Sequence, residues 1–232
     1  MRSVLGRVMR RLVVVVVFAV AACSGQPGDD IDPVVGTPST KPVVPLSMAQ
    51  ATKAALLVRD FPKGWDGGVA ADPKPTPGYR GEYDAPECLA FRHPTDLLGT
   101  PTTAVRGQYF SREKFSSVTE LVWSWPTRLD SLIPDLTALL PKCSRYTMIS
   151  NDKAKYTFTA TRLALPGVAG VFAVRSKSSD PDGEAIPDEY SAYIVRGGTV
   201  IDLSASGESF TDTTFTQLVT MAAARLDAAV SP

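Results

Sequence analysis

Histidine and cysteine are scarce in this chain, and neither sign of charge is in excess. Its 232 residues include one histidine and three cysteines, and 24 basic side chains balance 24 acidic ones. A single histidine excludes a multi-histidine metal site and leaves a histidine-dependent catalytic triad with one candidate, His93. The zero net charge disfavours a nucleic-acid binder that is basic throughout.

A hydrophobic run long enough to cross a bilayer is also lacking. The unbroken run from Leu12 to Ala22 has eleven residues, whereas a membrane-spanning helix needs about 20. Four arginines and no acid precede this run. A cationic start followed by a short apolar core predicts a secretory signal peptide over residues 1–22.

Cys23 directly follows this core. The stretch Val20-Ala-Ala-Cys23 places small residues before a cysteine and resembles the bacterial lipobox. The resemblance implies transfer of diacylglycerol to the Cys23 thiol, cleavage before Cys23 and acylation, for example by palmitate, of the new amine. The alternative is an ordinary signal peptide with an incidental cysteine.

The chain left after cleavage is mildly acidic. Residues 1–22 carry four of the 24 basic side chains and no acid, so the mature chain has a net charge of −4. Such a chain gains no attraction to anionic lipid, and two or three acyl chains would have to supply the membrane affinity. We therefore expect a lipid anchor on the extracytoplasmic face of the cell membrane.

A proline-rich tether follows the anchor. Residues 23–46 include prolines at positions 27, 33, 38, 42 and 45, with glycine, serine, threonine and aspartate between them. Proline removes backbone donors and favours extended conformations. We predict a semi-extended tether over residues 23–46 and one domain over residues 47–230.

Three segments of this domain have helical periodicity. The first opens at Ser47, with Gln50 completing a capping-box pattern. A leucine-rich second helix contains Pro134, so we expect it to start near Ile133. The third runs from about Asp212 to Ala229.

Between the helices, apolar and polar residues alternate with the period of a strand. Gly197-Gly198 suits the tight turn of a β-hairpin. The predicted fold is α+β, a single antiparallel β-sheet of about five to six strands with two to three helices packed mainly on one face. The strand candidates are residues 104–111, 119–125, 155–165, 171–177, 190–196 and 199–204.

With Cys23 set aside as the lipid attachment site, Cys88 and Cys143 form an even pair. In an exported protein, such a pair predicts a disulfide. It would close a loop of about 55 residues and contribute roughly 4 kcal/mol of stability in the chain-entropy account. The alternative is two free or catalytic thiols.

The stretch from Ala55 to Trp65, ALLVRDFPKGW, resembles the ALL…DLP.GW opening of many exported lipoproteins of mycobacteria and related actinobacteria. Phe61 stands where that pattern usually has leucine. The two cysteines, a hairpin from Arg196 to Val200 and an alanine-rich C-terminal helix continue the likeness. Together these features resemble a PknH-like extracellular, sensor-type domain over about residues 48 to 229. The resemblance implies a single antiparallel sheet with helices and a cleft, and no established catalytic role.

No catalytic or metal-binding constellation stands out in the sequence. His93 lies in a segment without a G-x-S-x-G nucleophile elbow. The acidic segment from Asp180 to Glu189 has its glycine in fourth place, unlike an EF-hand loop. A hairpin loop is the simpler interpretation, and we predict neither a metal nor a catalytic residue.

Trp123 and Trp125 are two residues apart and therefore share one face of a strand. A tryptophan pair on one face is able to stack on a sugar or line a lipid groove. This makes them the candidate ligand-binding residues, with burial in the core as the alternative. Trp65, after a turn, is expected to cover the core rather than contact a ligand.

These features together predict a membrane-anchored envelope lipoprotein that is not an enzyme and uses no cofactor. Its extracytoplasmic domain would bind an envelope ligand or a protein partner, and no nucleic acid. One alternative is a lipid or glycolipid carrier, which needs a large apolar cavity. Another is a hydrolase with paired carboxylates, Asp202 with Glu208 or Asp212.

Overall fold

A single antiparallel sheet organises the chain. The computed structural model describes residues 42–71, 81–111 and 113–231, and these residues form one compact unit. Within the described residues the strands are β1 (Trp65–Ala71), β2 (Glu82–Tyr83), β3 (Thr103–Ser111), β4 (Ser116–Ser124), β5 (Arg145–Ile149), β6 (Lys155–Arg162), β7 (Val171–Ser179), β8 (Ala185–Arg196) and β9 (Thr199–Ser206). The α-helices are α1 (Met48–Ala54), α2 (Glu87–Arg92), α3 (Leu132–Leu139) and α4 (Asp212–Val230).

All neighbouring strands are antiparallel, in the order β1-β3-β4-β9-β8-β7-β6-β5-β2. Successive side chains of a strand point to opposite faces, and the sheet buries both. Val200 packs into the core beneath α2 and α3, whereas the next residue, Ile201, packs into the core beneath α1 and α4. The protein therefore has two hydrophobic cores separated by one sheet.

The first core lies beneath α1 and α4. The buried face of α1 consists of Ala51 and Ala54, and that of α4 includes Ala222 and Ala223. Alanines let two helices approach each other and the sheet closely, because they add little side-chain volume. The result is a shallow helical layer in which the short α1 rests on the long α4 and on β3.

The second core lies beneath α2 and α3, and a disulfide joins their segments. Cys88 in α2 and Cys143 after α3 are fully buried and bonded, with 5.5 Å between their Cα atoms. This confirms the predicted pairing. The bond fixes α2, a helix of six residues, which is too short to be stable from its own backbone bonds.

The sheet is wider than the sequence predicts. All six predicted strands are present, but the count of five to six is wrong because β1, β2 and β5 were missed. β1 contains Gly67 and Gly68 and is mostly exposed, so it lacks an alternating apolar pattern. β2 and β5 have only two and five residues, which is too short for a clear periodicity.

The helix count and placement also differ from the prediction. The described residues form four α-helices rather than two to three, since α2 was missed, and these helices divide between the two faces instead of gathering on one. The physical reason is that both faces of β7, β8 and β9 are apolar in their central parts. Val200 and Ile201 each need a covering layer.

The predicted helix starts agree closely with the structure. The Ser47–Gln50 capping box is present, with the Gln50 N–H donating to Ser47 Oγ. α3 begins at Leu132, and Pro134 falls in its first turn, where its missing N–H has no helical partner to lose. The Gly197-Gly198 hairpin is confirmed, with φ +58° at Gly197.

The predicted signal peptide, Cys23 and most of the tether lie outside the described residues. Among the residues that the structure does describe, no helix is both long and apolar enough to span a membrane.

A buried carboxylate of the sheet anchors the segment after α1. Glu120 on β4 is 0% exposed, and its Oε2 accepts a hydrogen bond of 2.8 Å from the Leu56 N–H. Tyr109 on β3 donates its hydroxyl to the carbonyl of the same residue, Leu56. The next turn, Val58–Asp60, is a 3-10 helix, and Asp60 pairs with Arg225 of α4 at 2.7 Å. Both polar groups of Leu56 are thus satisfied by strands beneath it.

We expect Glu120 to make stability depend on pH. Burial raises its pKa from 4.5 to about 8, so the native state retains a proton that the unfolded chain releases at lower pH. The free energy of unfolding should therefore fall as the pH rises from about 4.5 to about 8. This contribution is on the order of 5 kcal/mol at about 1.4 kcal/mol per pKa unit.

The Glu120→Gln variant tests this dependence. It keeps an oxygen for the Leu56 N–H but cannot ionise, so its stability should decline less between pH 5 and pH 8.5 than that of the wild type. Urea denaturation at both pH values measures the difference. Burial also raises the pKa of Asp202, to about 7. Asp202 is present in both proteins, so its contribution to the pH dependence cancels in the comparison. Parallel pH profiles would contradict the expectation.

Removing the disulfide should destabilise the protein without dissolving either core. The double variant Cys88→Ala/Cys143→Ala keeps both buried positions apolar, and we expect it to lose roughly 4 kcal/mol of unfolding free energy. Chemical denaturation of the oxidised wild type and the variant measures the loss. Reductant should produce a comparable loss in the wild type and none in the variant; a reductant effect on the variant would assign the loss to another cause.

Candidate functional site

A cavity of about 480 Å³ opens beside the anchored segment. Its walls come from four places: the turn between the 3-10 helix and β1, the β3–β4 hairpin, the loop before α4, and α4 itself. The volume lies within the usual range of about 300 to 1,000 Å³ for small-molecule sites. The cavity therefore has the size of a ligand site.

Three aromatic rings form one side of the cavity. Phe61 and Trp65 are stacked with their centroids 4.9 Å apart, and Phe210 meets Trp65 edge-on at 5.9 Å. The Pro62-Lys-Gly64 turn brings the first two rings together, and Gly64 has a φ of +96° that favours glycine. Leu218 and Met221 of α4 add apolar surface. The rings are partly buried, so they present faces to both the core and the cavity.

The position of Trp65 joins the two roles considered for it. It packs against the first core, as expected of a residue that covers the core, and it also lines the cavity. Phe61 extends this contact inward by meeting the ring of Tyr109 at 4.6 Å. The aromatic wall is therefore connected to the attachment of Leu56, because Tyr109 also donates a hydrogen bond to the Leu56 carbonyl.

The polar part of the cavity surrounds its opening. Lys63 lies in the turn between Phe61 and Trp65, whereas Glu113 and Lys114 lie in the β3–β4 hairpin. These three side chains are exposed. Thr214 and Gln217 of α4 supply uncharged hydrogen-bonding groups. The cavity is therefore amphipathic, with an apolar wall and a charged rim.

Ser209 also lines the cavity. Its N–H donates to Ser116 Oγ at 2.9 Å, which ties the loop before α4 to the β3–β4 hairpin. Gly207 makes this close approach possible, because a Cβ there would lie 2.4 Å from the Phe115 carbonyl oxygen. Within the described residues the Ser209 hydroxyl has no hydrogen-bond partner, but it is buried and therefore not open to the cavity.

The predicted ligand residues, Trp123 and Trp125, lie elsewhere. They are 4% and 3% exposed, and their rings meet edge-on at 5.9 Å in the core beneath α3. Trp125 Nε1 donates to the Gly99 carbonyl at 3.2 Å. Neither tryptophan lines the cavity beside Trp65 or any other surface pocket found among the described residues. Their burial agrees with the core alternative, since β4 is covered on this face.

The structure places Asp202 and Asp212, one of the two candidate carboxylate pairs, on opposite faces of the sheet. Asp202 projects to the α2 face, where Thr95 donates to it at 3.2 Å. Asp212 begins α4 on the opposite face, where Tyr190 and Arg175 donate to it. Glu208 lies in the loop between β9 and α4. A glycosidase needs both carboxyls on one side of its cleft, which the Asp202–Asp212 arrangement does not provide.

A polar cluster surrounds Asp202 on the α2 face. Arg92 of α2 forms an ion pair of 2.7 Å with Glu189 of β8, and the Tyr193 hydroxyl donates to the Arg92 carbonyl. Burial lowers the pKa of Arg92, but the charge and hydrogen bond of Glu189, together with Tyr146 and Tyr193, outweigh it and raise the pKa overall. These contacts fasten α2 and the following turn to the sheet, so they serve as structural ties.

The remaining chemical candidates occupy ordinary structural positions. His93 directly follows α2, and its backbone N–H donates to the Leu89 carbonyl. In the acidic segment, the Asp180 carboxylate accepts the backbone N–H groups of Asp182 and Glu184, as in a hairpin loop. No group of three or more metal-ligating side chains occurs among the described residues.

Sequence reasoning missed most of the cavity. Phe61, Lys63, Lys114, Ser209 and Phe210 come from three separate segments, and no spacing rule joins them. The available signal was the aromatic–Pro–Lys–Gly–aromatic turn from Phe61 to Trp65, which predicts two rings near one another but not a cavity.

Comparisons with known proteins identify the fold. No protein-family profile matches the chain, and neither does any curated protein sequence. Among solved structures, the extracellular domain of PknH from Mycobacterium tuberculosis matches with a TM-score of 0.59 and 15% identity, covering 80% of this chain and 97% of that one. An uncharacterised Mycobacterium smegmatis protein, an Rv0999 ortholog, matches with a TM-score of 0.45 and 12% identity, covering 78% and 96%. The chain therefore has a fold like that of the PknH extracellular domain, as its motifs predict.

Proposed function

We propose that the protein is a lipid-anchored envelope lipoprotein whose extracytoplasmic domain binds a small ligand and catalyses no reaction. The observation that carries the proposal is the amphipathic cavity beside Trp65, with its aromatic wall and its charged rim. Ligand sites combine such an apolar lining with a few polar groups that set orientation. The fold shared with an extracellular domain is in keeping with a position outside the cytoplasm.

The export signals support the same location. The arginine-rich start, the short apolar core and the Val20-Ala-Ala-Cys23 stretch predict an acylated N-terminus. The tether that follows would hold the domain off the membrane, so that the cavity faces the extracytoplasmic space. The buried disulfide is the kind of bond that oxidising compartments maintain.

The alternative functions have weaker support. A carboxylate hydrolase is disfavoured because Asp202 and Asp212 belong to opposite faces of the sheet. A carrier of large glycolipids would need a longer apolar cavity than one of about 480 Å³ with a charged rim. A small-molecule binding domain fits the observed volume and lining.

Substituting Cys23 should release the protein from the membrane. In a bacterial host that processes lipoproteins, the wild type should enter the detergent phase with a mass matching the chain from Cys23 plus acyl groups. Cys23→Ala should not gain this mass, because it lacks the thiol that accepts diacylglycerol. Detergent-phase partitioning and intact mass spectrometry measure both. The Cys88→Ala/Cys143→Ala variant is the matched control and should remain acylated; acylation of Cys23→Ala would contradict the assignment.

Substituting Trp65 should weaken ligand binding at the cavity. The probe is phenylnaphthylamine, a neutral aromatic dye, added to the mature chain expressed from Ser24 without an acyl group. We expect Trp65→Ala to lower its affinity about tenfold, since a stacked aromatic contact contributes about 1 kcal/mol or more beyond its buried area. Dye fluorescence measures the affinity.

Two further variants keep this test decisive. Met221→Trp should also weaken dye binding, because a larger side chain on α4 fills the cavity while the aromatic wall remains. Trp123→Phe lies in the other core and should leave the affinity unchanged. Equal loss in Trp123→Phe, or full binding by both cavity variants, would place the dye site elsewhere.

A further inference from the structure

We infer that the cavity selects amphipathic anions, molecules with one apolar chain or ring system and one negatively charged group, an inference that rests on the proposed function. The apolar part would lie against the rings of Phe61, Trp65 and Phe210, and the anionic group would lie at the rim beside Lys63 and Lys114.

The rim carries more positive than negative charge available to a ligand. Lys63 and Lys114 come from different segments, and neither forms an ion pair with another residue in the described part of the chain. Of the two acids in the lining, Asp60 is neutralised by Arg225 at 2.7 Å and also accepts the Leu57 N–H. Glu113 alone opposes the two lysines. The balance favours an anion over a cation of the same shape.

The apolar wall requires an apolar body on the ligand. Leu218 is almost fully buried, and Met221 and Phe210 are partly buried against the first core. A simple inorganic anion would leave this surface in contact with water and gain nothing from it. The wall and the rim together therefore favour a molecule that joins both characters.

Thr214 and Gln217 of α4 add uncharged hydrogen-bond donors to the lining, and both are exposed. Carboxylate, sulfonate and phosphate groups all offer an oxygen to such donors, as do the ester oxygens next to a phosphate.

Competition between two matched amphiphiles tests the inference. Decanoate and decanol have the same number of carbons, and each would displace phenylnaphthylamine from the mature chain at concentrations below micelle formation. We expect decanoate to compete about fivefold better than decanol. An exposed lysine contributes at most about 1 kcal/mol to the binding of an anion, so two of them give a modest preference. The preference should shrink as salt is raised, because salt screens exposed charges.

Charge variants assign the preference to the rim. Lys63→Gln/Lys114→Gln should lose most of the preference by weakening decanoate and leaving decanol unchanged. Lys155→Gln/Lys177→Gln removes two exposed lysines of β6 and β7, away from the cavity, and should keep the preference.

The source of the anion is distinguished by a membrane arm. Sedimentation with phosphatidylglycerol vesicles, compared with phosphatidylcholine vesicles, would show whether the site accepts an anionic lipid from a bilayer as well as a free carboxylate. Lysine-dependent binding to either form supports selection of amphipathic anions.

The outcomes separate the two proposals. Equal competition by decanoate and decanol, unchanged in Lys63→Gln/Lys114→Gln, would overturn anion selection. If dye binding still depended on Trp65, the proposed ligand-binding function would stand. Dye binding that does not depend on Trp65 or Met221 would overturn the proposed site itself, and anion selection with it.

Discussion

Two side chains of the sheet form hydrogen bonds with the backbone N–H and carbonyl of Leu56, and the position of the cavity wall depends on these two bonds. Glu120 accepts the N–H and Tyr109 donates to the carbonyl. Both strands are central enough to be fixed by pairing on each side. The next residues form the 3-10 turn that ends at Asp60, so the position of Phe61 and Trp65 follows from where Leu56 is held. The cavity wall therefore starts from a buried residue whose backbone groups are both hydrogen-bonded.

The two-sided burial of the sheet makes this anchor possible. Strand β4 presents Glu120 to the α1 face and the adjacent Leu121 to the other, so neither face of the strand is free for water to reach the carboxylate. On the α1 face, alanines allow α1 to lie close to α4 and the sheet, which leaves the end of α1 directly above β4. On the other face, the Cys88–Cys143 bond keeps the short α2 in place.

Sequence patterns predicted the strands and helices that have a regular periodicity or a local capping signal. Alternation located the six longest regions of strand, and capping signals located Ser47 and the third helix, because each depends on neighbours along the chain. β1 was missed because Gly67 and Gly68 remove its alternation. The cavity was missed for a different reason: Lys63, Lys114 and Phe210 meet only after three segments have folded together. Trp123 and Trp125 share one strand face as predicted, but they are buried in the second core, which α3 and the unpredicted α2 cover.

The distribution of charge around Arg225 explains how a carboxylate is accommodated in the first core. Arg225 lies near two acids, Asp60 and Glu120, but one guanidinium neutralises only one of them. Asp60, close to the surface, takes the ion pair at 2.7 Å. Burial and the negative charge of Asp60 raise the pKa of Glu120, outweighing the Leu56 hydrogen bond and Arg225, which lower it. The raised pKa favours the neutral form of Glu120, whose Oε2 accepts the Leu56 N–H. A neutral group costs less to bury than a charge, and the one ion pair remains available to fix the turn that forms the cavity wall.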